Sequence, residues 1–287
     1  MKTYAVTGSA SGMGAAVVNR LRSDGHRVIG VDLHDADVTH DLSTPAGRSR
    51  AAAEVLSHAS GHLDGAVLAA GVGPRPGAEN VAGILSVNYF GVVDLVTAWR
   101  PALAATSTAK VVVVGSNSAT TMPMLPRRAV RALLRDDLDA AVRVARRYRS
   151  AASPMAYGAS KLAVMRWVRR TAVQPQWAGA GIRLNAIAPG AVDTPLLGEQ
   201  LATPREAKAI RSFPVPVGGF GNPDHLAGCM RFMLSDAADF LCGSVIFVDG
   251  GSDAYFRSDD WPQPVSVTGV PRYLQGLLAF SRARRRL

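Results

Sequence analysis

Cysteine is almost absent from this 287-residue sequence, which contains only Cys229 and Cys242. Two cysteines cannot build the framework of disulfide bonds that stabilises small secreted domains. We therefore expect a reducing compartment and predict a cytoplasmic protein. Since neither cysteine has a base beside it in the sequence, we interpret both as small apolar packing residues.

Long apolar runs and metal-ligand spacings are also lacking. No apolar run approaches the roughly 20 residues that a membrane-spanning helix needs, and residues 1–4 lead into an apolar strand without a signal peptide. The histidines are scattered, at His26, His34, His40, His58, His62 and His225, and none has the spacing of a metal ligand. We expect no membrane partner and no metal site.

Acidic residues are fewer than basic ones, 22 against 32, which gives a formal net charge of +10. Such an excess fits an anionic ligand, nucleic acid or no specific partner. Most of it lies in residues 127–149 and in a tail, at Arg282, Arg284, Arg285 and Arg286. We favour a solvated helix face and a frayed tail; the functional alternative is capture of a carboxylate or a CoA phosphate on the substrate.

Short apolar strands alternate with longer helical patterns along the chain. This alternation predicts an α/β fold: a Rossmann-like, doubly wound parallel sheet in a single domain. The predicted strands are 3–7, 27–33, 63–70, 110–115, 182–188 and 244–248, and the predicted helices include 14–24, 87–103 and 157–171. We place the domain at residues 1–251 and a C-terminal extension at 252–287.

Two connections have unusual lengths. The eight residues between Asp32 and Asp41 are too few for a crossover helix, so that helix is expected to be missing or reduced to a turn. About 40 residues separate the four-valine strand from Tyr157, and apolar residues recur at helical spacing in 127–149. We predict a helical insertion at about 119–156, a helix or helix pair with Asp136 or Asp137 as an internal N-cap.

A glycine-rich loop follows the first strand, with Gly8, Gly12 and Gly14 in a Gly-x3-Gly-x-Gly pattern. Such glycines let the backbone approach a pyrophosphate, and the next helix directs its N-terminal N–H groups at the anion. An acid at the end of the second strand, Asp32, can accept both adenosine ribose hydroxyls and repels a 2′-phosphate. Because no Arg or Lys directly follows Asp32 or lies in the loop, we predict NAD rather than NADP.

Tyr157 and Lys161 lie four residues apart at the predicted start of a helix, so they share a face. An ammonium beside a phenol favours the phenolate and lowers a pKa that starts near about 10. A tyrosine prepared in this way serves as the acid or base of carbonyl reduction or alcohol oxidation. A Tyr-x3-Lys pair alone is also found by chance on ordinary helix surfaces.

In combination the motifs resemble the short-chain dehydrogenase/reductase family over residues 1–251. They are, in order, the glycine loop, Asn88-Tyr89-Phe90-Gly91, the strand ending at Ser116, Tyr157-x3-Lys161 and Pro189-Gly190-x-Val192-x-Thr194. The family resemblance implies hydride transfer between a nicotinamide and a carbonyl or hydroxyl carbon.

The resemblance also implies a role for individual residues. Tyr157 would be the acid/base, Lys161 would lower its pKa and hold the nicotinamide ribose, and Ser116 would hydrogen-bond the substrate oxygen. Asn88 would hold a water in a proton relay, and Thr194 would bind the carboxamide. The implied cofactor contacts are Gly8, Ser11, Gly12, Met13, Gly14, Asp32, Asp41, Leu42, Ala70, Gly71, Asn88, Tyr157, Lys161, Pro189, Gly190, Val192 and Thr194, with Asp41 and Leu42 at the adenine.

The sequence departs from the family pattern in three places. The Asn-Asn-Ala-Gly element is replaced by Leu68-Ala69-Ala70-Gly71, the segment before Asp41 is short, and an insertion separates Ser116 from Tyr157. Because of the insertion, Ser118 is an alternative to Ser116 as the serine that contacts the substrate. We prefer Ser116, because Ser116 directly follows the strand and its glycine. Both length departures resemble the bacterial 3α-hydroxysteroid dehydrogenase/carbonyl reductase subgroup, which implies a hydrophobic ketone or alcohol substrate.

Three functions remain open on the sequence. The first is an NAD(H)-dependent oxidoreductase for a hydroxysteroid or another hydrophobic alicyclic alcohol, acting as a homo-oligomer (dimer or tetramer) without nucleic acid. The second is a 3-oxoacyl thioester reductase. The third, of another class, is a non-catalytic NAD-sensing or nucleic-acid-binding protein, against which the intact set Asn88, Ser116, Tyr157 and Lys161 argues.

The insertion carries two further expectations. Apolar side chains such as Met122, Met124 and Leu125 would cap the active-site cleft. The inserted helices would also obstruct the helix pairing by which many family members form tetramers, and so would favour a different dimer. Since one face must be buried, the arginines of the other, such as Arg128 and Arg131, would face solvent or a partner.

Overall fold

Seven parallel strands form one sheet in the order β3-β2-β1-β4-β5-β6-β7. The computed structural model describes residues 1–75, 77–260 and 263–284. The strands are β1 (Thr3–Thr7), β2 (Arg27–Asp32), β3 (Val38–Thr39), β4 (Gly65–Leu68), β5 (Lys110–Val114), β6 (Arg183–Pro189) and β7 (Val245–Val248). The order reverses between β1 and β4, and this arrangement confirms the predicted doubly wound, Rossmann-like fold.

Helices cover both faces of the sheet. The helices are α1 (Gly12–Ser23), α2 (Pro45–His58), α3 (Val81–Leu85), α4 (Gly91–Ala104), α5 (Ser118–Thr121), α6 (Arg127–Leu133), α7 (Leu138–Arg146), α8 (Ala152–Thr171), α9 (Pro195–Leu201), α10 (Pro204–Arg211), α11 (Pro223–Leu234), α12 (Ser252–Arg257) and α13 (Val270–Arg284). A core with Val17 and Met230 lies under α1 and α11, and a larger one with Trp99 and Val164 lies under α2, α4 and α8.

The short second connection has no helix. Strand β3 begins six residues after β2 ends, and Val31 and Asp32 pair with Val38 and Thr39. The prediction of a missing crossover helix is confirmed. Asp37 fills part of the gap, because its carboxylate accepts a hydrogen bond from the Gly30 backbone at 2.7 Å.

The insertion is the predicted helix pair, α6 and α7. Asp137 caps α7, since its carboxylate accepts the Ala140 N–H at 2.9 Å, and Asp136 before it has a φ of 59°. Val130 and Leu133 are fully buried in the core that includes α8, so the apolar face packs within the same subunit. The arginines of the opposite face are exposed, as predicted, at Arg128, Arg131, Arg135 and Arg146.

The catalytic-helix boundary was predicted wrongly. Helix α8 begins at Ala152 rather than at Tyr157, because Ala152 and Ser153 are buried and extend the helix toward the insertion by more than one turn. Tyr157 therefore lies inside the helix, where the backbone on both sides of it is fixed.

One helical stretch, Val81–Ala104, is long and apolar enough to cross a membrane by length and composition alone, with a mean hydropathy of 1.6. The expectation that no stretch approaches this length overlooked it because Asn88, Asp94 and Arg100 interrupt its apolar residues. It comprises α3, a π-helical turn at Ser86–Phe90 and α4, and 61% of its most apolar 18-residue window is buried. Such burial is typical of the core helix of a folded domain.

Candidate active site

The predicted site residues meet at the carboxyl ends of the strands. The glycine loop follows β1, and Ala70 and Gly71 follow β4, so the two segments flank the point at which the strand order reverses. In open parallel sheets, ligands bind in the crevice at this point.

The glycine loop has no room for side chains at its first and third glycines. A Cβ at Gly8 would lie 2.7 Å from the Ala70 nitrogen, and one at Gly14 would overlap the Gly8 carbonyl oxygen. Gly8 and Gly12 also have positive φ values of 70° and 53°, which L side chains rarely adopt. A Cβ at Gly12 would lie 3.2 Å from the Thr194 side chain, so the loop lies against the segment that follows β6.

Helix α1 presents an uncapped N-terminus beside this loop. Ser11 occupies the N-cap position with extended backbone, and its side chain makes no capping hydrogen bond. The Ala15 N–H is bonded to the Ser11 carbonyl at 3.1 Å, whereas the N–H groups of the first turn remain available to a ligand. With the glycine cradle, this arrangement fits the pyrophosphate of a dinucleotide.

Asp32 ties the glycine loop to the end of β2. One carboxylate oxygen accepts the Ala10 N–H at 2.9 Å, and the other accepts the Leu33 N–H at 2.7 Å. A carboxylate offers about four lone-pair positions, so two backbone bonds leave capacity for ribose hydroxyls. Among the ion pairs of the described residues, none involves Asp32.

The two predicted adenine contacts, Asp41 and Leu42, differ in exposure. Asp41 is exposed and its carboxylate accepts hydrogen bonds from both the N–H and the hydroxyl of Ser43, each at 2.8 Å. Leu42 is buried in the core. The Asp41 carbonyl oxygen also accepts the Thr44 N–H at 3.3 Å and the Thr44 hydroxyl at 3.2 Å, so both the side chain and the carbonyl of Asp41 shape the turn before α2.

Tyr157, Ser116 and Lys161 form one cluster. Ser116 hydrogen-bonds the Tyr157 side chain, and the Lys161 Nζ lies 5.9 Å from the centroid of the Tyr157 ring. Lys161 is buried, and its Nζ donates to the Val114 carbonyl at the end of β5, at 2.9 Å. Consecutive turns of α8 thus bring the pair to the end of the central strand.

Burial moves the two ionisable groups in opposite directions. It lowers the pKa of Lys161 to about 8, because the ammonium loses hydration. Burial also raises the pKa of Tyr157, and the hydrogen bond with Ser116 offsets part of that rise. This differs from the expectation that Lys161 lowers the pKa of the phenol: in this arrangement desolvation dominates, and the ammonium is bonded to a backbone carbonyl.

Ser116 rather than Ser118 contacts the tyrosine. Ser116 is buried directly after β5 and Gly115, whereas Ser118 is the first residue of α5 and donates its hydroxyl to the Ser116 Oγ at 3.0 Å. Ser118 therefore orients Ser116 and does not replace it.

Asn88 connects three segments of the site. Its Oδ1 accepts the Val72 N–H at 2.8 Å, and its Nδ2 donates to the Val72 carbonyl at 3.0 Å and to the Ser160 hydroxyl at 3.3 Å. Asn88 is fully buried and lies in the π-helical turn, a distortion that often marks functional sites. A Cβ at Gly71 would lie 3.3 Å from the Asn88 Oδ1 and 3.6 Å from the Lys161 Nζ.

The segment after β6 lies across from the glycine loop. A Cβ at Gly190 would lie 2.9 Å from the Asp249 Cα, so close packing with the strand β7 end requires glycine there. Thr194 caps α9 by accepting the Leu197 N–H at 3.3 Å, while its hydroxyl donates to the Val192 carbonyl at 3.2 Å.

The insertion reaches the catalytic helix with two of its three predicted apolar side chains. A Cβ at Gly158 would lie 2.5 Å from a Leu125 methyl group and 3.1 Å from the Met122 sulfur, so both side chains pack against α8 at the residue after Tyr157. Met124 is different: it is 81% exposed and has a φ of 55°. Its predicted place over the cleft is wrong, because the turn directs it to solvent.

Two features of the site were missed by sequence reasoning. Ser160 links Asn88 to the Tyr157 carbonyl, to which its hydroxyl donates at 2.7 Å; its spacing of three residues from Tyr157 could have indicated this. Arg75 and Glu199 form an ion pair at 2.9 Å between the segment after β4 and α9, and no sequence signal joins residues so far apart.

A groove of about 840 Å³ lies elsewhere, on the outer side of α4 and α8. None of the predicted catalytic or cofactor residues lines it, and we assign it no part in the chemistry. Among the described residues, no group of three or more His, Cys, Asp or Glu side chains could hold a metal ion.

Comparison with known proteins agrees with this geometry. A model of the short chain dehydrogenases matches residues 2–126, and a model described as enoyl-(acyl carrier protein) reductase matches residues 139–253. The 3-alpha-hydroxysteroid dehydrogenase/carbonyl reductase of Comamonas testosteroni is 37% identical over 257 residues, which are 90% of this chain and 98% of the relative. The chain belongs to the short-chain dehydrogenase family. It is therefore an oxidoreductase that uses a nicotinamide cofactor and acts on hydroxyl groups.

Two further members of the family are similar over most of the chain. The cis-4-hydroxycyclohexanecarboxylate dehydrogenase of Sinomonas cyclohexanicum is 31% identical over 87% of this chain and 95% of its own. The crystal structure of the 3-alpha-hydroxysteroid dehydrogenase from Pseudomonas sp. B-0831, complexed with NADH, is 43% identical with a TM-score of 0.83, over 90% of this chain and 99% of that one.

Proposed function

We propose that this short-chain dehydrogenase interconverts a secondary alcohol and a ketone with NAD(H), on a hydroxysteroid or another hydrophobic alicyclic substrate. The observation that carries the proposal is the cluster of Tyr157, Ser116 and Lys161 at the carboxyl end of β5. It lies beside a glycine cradle that fits a dinucleotide. A proton-transfer group and a cofactor site therefore meet at one edge of the sheet.

The nicotinamide, when bound, accepts or supplies the hydride. The chain's own residues manage the proton and the substrate oxygen. In alcohol oxidation, the Ser116 hydroxyl orients the substrate oxygen and Tyr157 takes the hydroxyl proton as general base; in ketone reduction, Tyr157 returns it. Lys161, held at the Val114 carbonyl, would bind the nicotinamide ribose and titrates together with Tyr157. Asn88 fixes Ser160 and the segment at Val72 around the pair.

Asp32 supports NAD over NADP. Its carboxylate is fixed by the Ala10 and Leu33 backbone at the end of β2. A carboxylate fixed there accepts hydrogen bonds from ribose hydroxyls, and its negative charge repels a 2′-phosphate.

The proposed substrate class rests on two kinds of support. The relatives named above act, by their names, on a 3α-hydroxysteroid and on a hydroxycyclohexane carboxylate. The apolar side chains of Met122 and Leu125 pack against α8 at Gly158, the residue after Tyr157. Leu196 of α9 packs against Gly73 in the segment after β4, where an added Cβ would lie 2.9 Å from its methyl group. These are surfaces that a fused or single alicyclic ring can contact.

We further propose a cytoplasmic homo-oligomer, with a dimer that does not pair α8 with its symmetry mate. Helices α6 and α7 pack against α8 within the subunit, and they occupy space beside the start of that helix. The exposed side of α8 carries Arg166, whose pKa is lowered by burial and by the nearby charges of Arg170 and Arg127. Bringing two such helices together would add further like charges.

The test is NADH formation by the full-length protein with a panel of a 3α-hydroxysteroid, cis-4-hydroxycyclohexanecarboxylate and a 3-hydroxyacyl thioester. We expect the highest kcat/KM for one of the two alicyclic alcohols. Preference for the thioester would replace the proposal with the 3-oxoacyl thioester reductase. NAD binding without turnover of any alcohol would favour a non-catalytic sensor.

A further inference from the structure

The C-terminal helix α13 displays an apolar face that none of the described residues of the subunit buries. Its large apolar side chains are between 44% and 69% exposed, whereas those of the other long helices include many that are fully buried. These side chains are Val270, Tyr273, Leu274, Leu277, Leu278 and Phe280. Both family models end at or before residue 253, so α13 lies outside them.

The exposed side chains form one continuous stripe. Val270, Tyr273, Leu274, Leu277 and Leu278 follow the i, i+3, i+4, i+7, i+8 spacing of an amphipathic helix. Arg272, Gln275 and Gly276 lie between them in the sequence and so on the opposite side. A face of this kind is ordinarily buried, which indicates that α13 has an occupant outside its own subunit.

The charge of the same segment restricts that occupant. From residue 263 to residue 287 every charged residue is an arginine, and no Asp or Glu is present. These arginines are Arg272, Arg282, Arg284, Arg285 and Arg286; the last two lie outside the described residues. Pairing α13 with the same helix of a second copy would bring two segments together whose charged side chains are all arginines. Nucleic acid matches the charge but offers no apolar surface to the stripe.

We propose that α13 binds the surface of an anionic lipid bilayer. The apolar stripe would enter the boundary between headgroups and acyl chains, and the arginines would contact lipid phosphates, which is the known physical behaviour of basic amphipathic helices. A helix of 15 residues that lies in the plane of the interface has no need to span the bilayer. This differs from the expectation of no membrane partner, which considered only spanning runs. It is independent of which alcohol the enzyme oxidises.

The experiment is flotation of the full-length protein with vesicles of phosphatidylglycerol and phosphatidylcholine, and with vesicles of phosphatidylcholine alone. We expect binding to the anionic vesicles only, weakened by added salt. The double variant Leu277→Ser, Leu278→Ser should lower the partition coefficient at least about tenfold, because two side chains leave the acyl boundary. The matched control Gln275→Ser changes the opposite side of the same helix and should bind as the unmodified protein does.

Several outcomes would overturn the proposal. These are no binding to the anionic vesicles, equal binding to neutral vesicles, or equal loss in Gln275→Ser and the double variant. Light scattering on the same samples adds another: a change of mass in the double variant, without vesicle binding by the parent, would assign the stripe to a second copy. Tight binding of duplex DNA in place of vesicles would assign the arginines to nucleic acid. Alcohol oxidation is measured in parallel, and a soluble substrate should be turned over equally by all variants.

Discussion

Desolvation sets the protonation states of the two residues closest to the proposed chemistry. Tyr157 holds its proton more tightly than an exposed tyrosine, while Lys161 releases its proton at a pKa of about 8. Because the groups are adjacent, they titrate as a coupled pair, and the apparent pKa belongs to both. The pair therefore loses its first proton near the pKa of Lys161, at about pH 8. The phenol of Tyr157 by itself would keep its proton at that pH.

The first prediction concerns pH. Below the apparent pKa of the pair, both protons are present, which supplies the acid for ketone reduction; above it, a proton is missing, which supplies the base for alcohol oxidation. We expect kcat/KM for oxidation to rise and that for reduction to fall as pH increases through about 8. Rates measured from about pH 6 to about pH 10 with both substrates provide the test.

The variant Lys161→Arg is the control for this profile. A guanidinium stays protonated throughout the range, so the first proton must come from Tyr157 and the midpoint should move upward. An unchanged midpoint in Lys161→Arg, or oxidation that falls with rising pH, would contradict the coupled pair.

The second prediction concerns cofactor choice at Asp32. We expect kcat/KM with NAD to exceed that with NADP by at least about tenfold, since the fixed carboxylate repels a 2′-phosphate. Asp32→Ala should lower kcat/KM with NAD and reduce the difference in kcat/KM between NAD and NADP. Asp35→Ala, which removes an exposed carboxylate of the same loop, is the matched control and should leave the ratio unchanged. Equal use of both cofactors by the parent enzyme would refute the assignment.

At the residue scale, the sequence was informative where partners are close along the chain. Tyr157 and Lys161 share a helix face at a spacing of four, so their proximity was predictable. The bonds of Asn88 to Val72 and Ser160 span 16 and 72 residues, and no spacing rule connects such positions. The direction of the Tyr157 pKa shift was also beyond reach, because it depends on how completely the folded chain excludes water.

At the element scale, the glycine loop and α1 act as one anion-binding unit. The unit depends on close contact: a Cβ at Gly14 would overlap the Gly8 carbonyl oxygen, and a backbone atom cannot move aside as a flexible side chain can. The uncapped first turn of α1 is available because Ser11 makes no capping bond.

The third prediction tests this unit with two helical glycines. Gly14→Ala should displace the loop and weaken NADH binding at least about tenfold, as measured by quenching of protein fluorescence. The matched control is Gly228→Ala in α11, where an added Cβ meets nothing within 4 Å. It should bind NADH normally and gain up to about 1 kcal/mol of stability, because alanine favours the helix. Equal NADH affinity in both variants would show that the close contact is not needed.

Element lengths were the most predictable part of the fold, and element boundaries the least. The short interval between Asp32 and Asp41 excluded a crossover helix, and the apolar spacing of 127–149 predicted α6 and α7. The start of α8 at Ala152 was missed because burial of Ala152 and Ser153 depends on contacts with other parts of the chain. The exposure of Met124 was missed for a similar reason, since the turn with its positive φ is not evident in the sequence.

In the whole molecule, the helical insertion is an addition to the parts of the chain that the family models match. Between the two family models, residues 127–138 are unmatched, and these form α6, the turn after it and the first residue of α7. The inserted helices complete the subunit core beside α8, so their presence changes which outer surfaces remain for assembly.

The fourth prediction is that the enzyme is not a tetramer built on paired α8 helices. We expect light scattering to give the mass of a dimer, because the insertion and the arginines at the end of α8 disfavour that pairing. Arg170→Glu on this surface should leave the mass unchanged if the face is free of a partner. A tetramer that Arg170→Glu converts to dimers would show that the family pairing is retained.

In the mechanism that we propose, Tyr157 carries the proton in NAD-dependent alcohol oxidation. The most direct measurement compares NADH formation from a 3α-hydroxysteroid by the parent enzyme and by Tyr157→Phe, with NADH affinity determined for both. We expect a loss of about 10²–10⁴-fold in kcat with little change in NADH affinity, since the phenol hydroxyl is not the main cofactor anchor. A Tyr157→Phe enzyme that keeps most of its rate would contradict this mechanism.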